Sequence, residues 1–213
     1  MDNQMHKITL RNIHKDDIPG IIALQRESFS DMAMYGMIWP STFLKNHLRV
    51  FPEGQICVEL DKRKIIASAS SLIVSLKPSY REHTWHEITG YGMFNNHDPM
   101  GDTLYGADIS THPRFQGRGI GTMLYMARKK LVIKLNLKRM VVGGRLYNYY
   151  KQAHKMTPQV YAQKVISGEL RDPVLSFQLK NGFRFIKVLP DYLYDKRSVN
   201  YASFLEWVNP KYR

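Results

Sequence analysis

The segment Gln116-Gly117-Arg118-Gly119-Ile120-Gly121 holds the most chemistry in this sequence. Its glycines alternate where a strand-like stretch, Thr103 to Thr111, gives way to the clearest helical one, Gly119 to Leu135. Backbone N–H groups left open at a helix amino terminus, with the positive end of the helix dipole behind them, make a site for an anion such as pyrophosphate. A missing Cβ lets that ligand come close, although a tight turn needing positive φ would also use glycine. Arg114 and Arg118 bring mobile positive charge beside the loop. Two other phosphate-loop patterns do not fit. A P-loop needs a lysine ahead of its Ser/Thr, and here Thr122 follows Gly121 directly; a dinucleotide fingerprint needs glycine at Thr122 and an acidic residue where Lys138-Arg139 stand.

The elements that must position this loop can be read from periodicity and punctuation. Lys7 to Asn12 alternate as a short strand, and Asp16-Asp17 open a helix with Ile18, Ile21, Ile22 and Phe29 at helical spacing. A shorter helix follows Pro40-Ser41, with Phe43, Leu44, His47 and Leu48 on one side, until Phe51-Pro52-Glu53-Gly54 breaks it. Ile56 to Leu60 and Ile65 to Leu76 flank the polar turn Asp61 to Lys64 and predict an antiparallel hairpin. From Ser79 to Met100 the periodicity fades into a long structured loop. In the main helix Ile120, Leu124, Ala127, Leu131 and Leu135 form one apolar stripe, while Lys129-Lys130, Lys134 and Lys138-Arg139 read as a solvated face. Met140-Val141-Val142 is a short buried strand. Thr157-Pro158 and Asp172-Pro173 start two further helices, Gly168 and Gly182 stop them, and Phe183 to Leu189 and Tyr201 to Trp207 close the chain as strands. The result is a mixed α/β (α+β) chain with helices packed on a largely antiparallel sheet of about seven strands.

Composition narrows the class. A chain of 213 residues with 44% hydrophobic content supports one well-buried core, so residues 1–213 are read as a single domain. The amino-terminal residues lack a signal peptide's apolar core, and no apolar run is long enough to cross a bilayer. With one cysteine, Cys57, set among strand residues as a packed thiol, the chain reads as cytoplasmic, without a membrane partner. The formal charge of +13 attracts polyanions, but the basic residues form no block, so a nucleic-acid partner is not expected and any such binding would be weak and salt-dependent. A homodimer is left open. His83-x-x-His86 and His97-Asp98 lack a completing His-x-x-x-His or cysteine, so no metal is expected. The same loop, with Trp85 and Tyr91, or Tyr147, Tyr149 and Tyr150, could cover an acceptor or simply pack on itself.

Gln116, Gly119 and Gly121 match in order the Gln/Arg-x-x-Gly-x-Gly/Ala signature, and the segment resembles the acetyl-CoA loop of the GNAT superfamily of N-acetyltransferases. Ile109 to Pro113 resembles the family strand that pairs with pantetheine, and Ser176 to Phe183 its late helix with the Lys-x-Gly-Phe ending. A narrower resemblance lies in Asn96-His97-Asp98-Pro99, Gly143-Gly144-Arg145, Asp172-Pro173-Val174-Leu175 and Tyr201 to Trp207. These are similar to the acetyltransferase-like domain fused to nitrilase-type amidohydrolases, although a second domain after Arg213 is not expected here.

The resemblance implies a GNAT-like fold, a twisted sheet with helices on both faces, and transfer of an acetyl group from acetyl-CoA, as cosubstrate, to a primary amine of a small molecule or protein. It implies backbone contacts from Ile109 and Thr111 to pantetheine, and from Gln116, Gly117, Arg118, Gly119, Ile120, Gly121 and Thr122 to pyrophosphate. Asp108 and Tyr105 are alternative bases on that strand, expected on opposite faces because strand side chains alternate. The family's usual acid, a tyrosine on the late helix, is replaced by Gln178, which cannot donate a proton. Together with the +13 charge, Gln178 keeps an alternative in view: a module that binds acetyl-CoA or RNA without transfer, or a protein-interaction module.

Overall fold

Polar turns, proline starts and glycine stops fall where the sequence puts them, and they deliver seven strands to one sheet in the order β1-β2-β3-β4-β5-β7-β6. The computed structural model describes residues 7–29, 38–62, 64–77 and 79–213. Along the chain these form β1 (Ile8–Asn12), α1 (Ile18–Ser28), α2 (Ser41–Val50), β2 (Gln55–Leu60), β3 (Lys64–Val74), a short α3 (Trp85–Thr89) and β4 (Thr103–Thr111). There follow α4 (Ile120–Lys134), β5 (Arg139–Arg145), α5 (Pro158–Ile166), α6 (Pro173–Lys180), β6 (Arg184–Leu189) and β7 (Ala202–Val208). Every neighbouring pair of strands is antiparallel except β4 and β5.

Local chemistry sets the boundaries. Asp61 and Lys62 adopt positive φ (52° and 55°) and bring Lys64 back opposite Leu60. The Thr157 hydroxyl accepts the Val160 N–H, and one Asp172 oxygen accepts those of Val174 and Leu175, so both late helices begin on a capping side chain followed by proline. α1 and α2 cover one sheet face, burying Ile21, Leu24 and Leu44 with Leu72, Tyr105 and Phe204; α4, α5 and α6 cover the other with Tyr125, Val132, Tyr161 and Leu175. No helix among the described residues is long and apolar enough to cross a membrane.

Three expectations are corrected. The loop from Ser79 to Met100 contains α3, whose Thr84/Glu87 capping box and left-handed Gly90 stop are a helix signature too short for periodicity to register. The buried face of α4 runs through Ile120, Leu124, Tyr125, Arg128 and Val132, while Leu135 is exposed. Arg139 belongs to β5 and is buried, with its guanidinium on Glu206 at 3.3 Å.

His47 shows how burial couples the fold to pH. Its Nε2–H donates to the Gly92 carbonyl at 2.6 Å, its ring stacks on Phe94, and burial pushes its pKa down to about 4 from 6.5. The unfolded chain therefore takes up a proton near 6.5 that the native ring refuses, so this contribution is present above that pH and is lost as pH falls towards 4. At 1.36 kcal/mol per pKa unit the loss is roughly 3 kcal/mol. Urea unfolding at pH 7 and at about pH 4.5 should show it, and His47→Gln should have a visibly shallower pH slope than the parent; equal slopes would refute the assignment.

Candidate active site

β4 and β5 run in parallel register only from Thr103 to Gly106 against Arg139 to Val142. Beyond that point β4 remains with β3 as far as Thr111, and β5 with β7 as far as Arg145, so the two strands part in a V. A bulge helps to open it: Ser71 faces Gly106 but Ser70 faces Asp108, leaving Ala107 as the extra residue. The groups freed from the ladder find other donors. The Trp85 indole N–H bonds the Ala107 carbonyl at 3.0 Å, and Arg128, reaching from α4, donates Nη2 to the carbonyls of Ser70 (2.7 Å) and Asp108. Gly106 makes room for this guanidinium, since a Cβ there would lie 3.1 Å from Nη1.

The bulge also corrects the expected geometry of the two candidate bases. Tyr105 lies opposite Leu72 and Asp108 opposite Ser70, two positions on one face of β3, so both side chains point to the α1/α2 side. Alternation failed because the extra residue resets it. Tyr105 is fully buried, with its hydroxyl 2.6 Å from that of Tyr192 and 3.3 Å from His83 Nε2, and burial raises its pKa well above 10. Asp108 is half-buried and accepts the Ser110 hydroxyl at 3.1 Å. Burial raises its carboxyl to about 6, against the opposing pull of Arg128, the Ser110 bond and Arg145. A carboxylate poised there can take a proton from an ammonium-forming nitrogen near neutral pH.

At the open end of the V stands the glycine loop. Gly117 and Gly119 have φ of 75° and 80°, and a Cβ on either would meet nothing within 4 Å. Gly119 is the N-cap of α4 with no side-chain cap, and the first helical bond runs from Met123 N–H to the Gly119 carbonyl at 3.0 Å. The N–H groups of Ile120, Gly121 and Thr122 therefore precede the ladder and have no helical acceptor. Gln116, Gly117, Arg118 and Thr122 are exposed beside them, and Gln116 also ties the loop to the Thr111 carbonyl at 3.1 Å. Gly121 differs from the other two, because its Cβ would lie 2.7 Å from the Phe177 ring of α6. Two glycines thus leave open space for an anion, and the third lets helices pack.

The model of the Acetyltransferase (GNAT) family matches residues 23–155. The chain belongs to the GNAT acetyltransferase family. It is 39% identical over 206 residues to the uncharacterized N-acetyltransferase YkwB of Bacillus subtilis, covering 97% of this chain and 91% of that protein. It is 42% identical over 207 residues to the probable hydrolase YhcX of the same organism, covering 97% of this chain but only 39% of that one. Among solved structures, the GphF GNAT-like decarboxylase in complex with isobutyryl-CoA is similar in fold, with a TM-score of 0.74, 18% identity, and coverage of 94% and 98% of the two chains.

In this GNAT protein the late-helix position of interest, Gln178, is buried at 3% exposure. Its carboxamide fills the space over Gly144, hydrogen-bonds the Tyr125 hydroxyl and approaches the Ser203 hydroxyl at 3.5 Å. The histidines serve the fold: His83 Nδ1 lies 3.0 Å from the Arg81 carbonyl, and His97 Nδ1 accepts the Ile73 N–H. Cys57 is a packed thiol raised by burial to about 12. Tyr149 is buried while Tyr91 and Tyr150 are exposed. Arg128 is the residue that sequence reasoning missed, because a lone arginine in a lysine-rich helix gives no sign that it turns inward.

The glycines make a separable prediction. Gly119→Val should fold with a modest loss, about 1–2 kcal/mol for a side chain at positive φ, while an anionic coenzyme loses its close approach to the helix end. Gly121→Val should instead lower the melting temperature sharply by colliding with Phe177. Calorimetric titration with CoA and thermal melts distinguish the two. Gln178→Ala should cost about 1–3 kcal/mol in stability through its unpaired neighbours, with only a several-fold change in turnover per folded molecule.

Proposed function

We propose that this chain acts as one acetyltransferase domain that moves the acetyl group of acetyl-CoA to a primary amine. The observation that carries the reading is the parting of β4 and β5 towards an uncapped, glycine-lined helix end. Ile109 and Thr111 offer backbone groups to pantetheine along one arm of the V. The N–H groups from Gln116 to Thr122 receive the pyrophosphate, and Arg114 and Arg118 add charge from solvent. The likeness to a hydrolase-named protein of more than twice this length supports placing the chain with the GNAT domains that stand beside amidohydrolases.

Asp108 is the base of this mechanism and Tyr105 part of its support. As the amine nitrogen forms its bond to the acetyl carbon, Asp108 accepts the proton that the nitrogen must lose; the carbon–sulfur bond then breaks and sulfur departs as thiolate. With an ordinary thiol pKa near 8.5 the thiolate can leave without a side-chain acid, which accommodates Gln178. Arg128 acts indirectly by fixing the bulge carbonyls on which the position of Asp108 depends.

Acetyl-CoA at millimolar concentration should raise the melting temperature by linkage, and thiol release should appear with an acceptor drawn from a panel of amines. Asp108→Asn should reduce kcat/KM by about 10²- to 10⁴-fold, the usual range for a lost general base. In the parent enzyme kcat/KM should rise with pH on a limb near 6, because only the ionised carboxylate accepts a proton. Tyr105→Phe should keep that limb. Absence of any acetyl-CoA effect would overturn the reading, and an Asp108→Asn enzyme with an unchanged pH profile would remove Asp108 from its role.

A further inference from the structure

Resting on the acetyl-transfer reading, we infer that the acceptor amine carries a carboxylate, held by Arg197 at the mouth of the V. Arg145 ends β5 at the mouth of the V, and its charge is among the influences lowering the Asp108 pKa. Its guanidinium is engaged with Asp195 at 3.3 Å and lies 5.9 Å from the Phe29 ring at the end of α1. Tyr147, two residues further on, stands between two arginines: Arg145 is 5.2 Å from its ring centre and Arg197 only 3.8 Å. A chain of contacts therefore leads outwards from Arg145, at the end of β5, through Tyr147 to Arg197.

Arg197 is prepared for a ligand in a way Arg145 is not. Its main chain is fixed, the N–H donating to Asp195 Oδ1 at 3.2 Å and the carbonyl accepting the Tyr150 N–H at 3.0 Å. Its guanidinium lies over Tyr147 and 5.4 Å from the ring centre of Tyr150, and its Nε is buried without a hydrogen-bond partner. Among the described residues no carboxylate or carbonyl takes up the guanidinium N–H groups. Asp195, the nearby acid, already accepts the N–H groups of Arg197 and Ser198 and pairs with Arg145. The contact with the Tyr147 ring holds the cation in place while its Nη groups have no protein acceptor among the described residues, and a guanidinium left so is complementary to a carboxylate. An amine placed at Asp108 would thus point its acidic end outwards to Arg197, as an amino acid or a short peptide can.

The test uses bisubstrate conjugates in which the CoA sulfur is joined through an acetyl bridge to the nitrogen of glycine, β-alanine or glycylglycine, each beside its carboxamide twin. Calorimetry should find at least one free acid bound tenfold or more tightly than its amide. In Arg197→Gln that preference should fall below twofold with CoA affinity unchanged, and Arg197→Lys should restore part of it. Equal affinities for every acid and amide pair, with CoA still bound, would overturn the carboxylate inference and leave acetyl transfer standing. Loss of CoA binding in the parent protein would overturn the transfer reading itself, and this inference with it. Should Arg197→Gln fail to fold, the acid and amide comparison in the parent still decides.

Discussion

A sheet that parts between two central strands must find new partners for the backbone groups it releases, and everything distinctive in this protein follows from how it does so. An unsatisfied buried carbonyl costs about as much as the hydrogen bond it lost. Arg128 answers that demand with a charged donor set brought from α4, and Trp85 answers it at the next carbonyl. The helix that presents its amino terminus to solvent is thereby fastened, through one side chain, to the strand that carries Asp108. Gly106 eases this arrangement, for a Cβ there would press on Val142 at 2.9 Å and on the guanidinium at 3.1 Å.

The same arrangement sets the electrostatics. Asp108 stands in a neighbourhood where burial favours its neutral form and two arginines favour its charged form, and the balance leaves it near 6 rather than at either extreme. Tyr105, on the same face and one bulge away, has no such counterweight and is locked into a chain of buried hydroxyls and imidazole. Two residues three apart in sequence thus acquire opposite characters from their surroundings alone.

Much of this was legible beforehand, and what was not has a physical reason. Thr157-Pro158, Asp172-Pro173 and the glycines 168 and 182 act through bonds within a few residues, so the chain itself declares them. The Gln116 to Gly121 loop is likewise local. The bulge at Ala107 is different: nothing in Tyr-Gly-Ala-Asp announces an extra residue, because it arises from register with β3 and from carbonyls satisfied by a helix twenty residues away. Arg128 and Arg139 were hidden for the same cause, since a buried cation is identified by its remote acceptors. Arg197 gains its character only when the loop after β6 returns to Tyr147.

Trp85 joins the bulge to a second indole. Its indole bonds the bulge carbonyl while its ring stacks on Trp39 at 6.0 Å, so two of the chain's three tryptophans sit together beside the divergence of β4 and β5. Only Trp207, in β7 beneath the Lys129 ammonium, lies apart. Two of the three indoles thus have surroundings set by the bulge, which gives the chain a built-in optical reporter on the geometry of its own cleft.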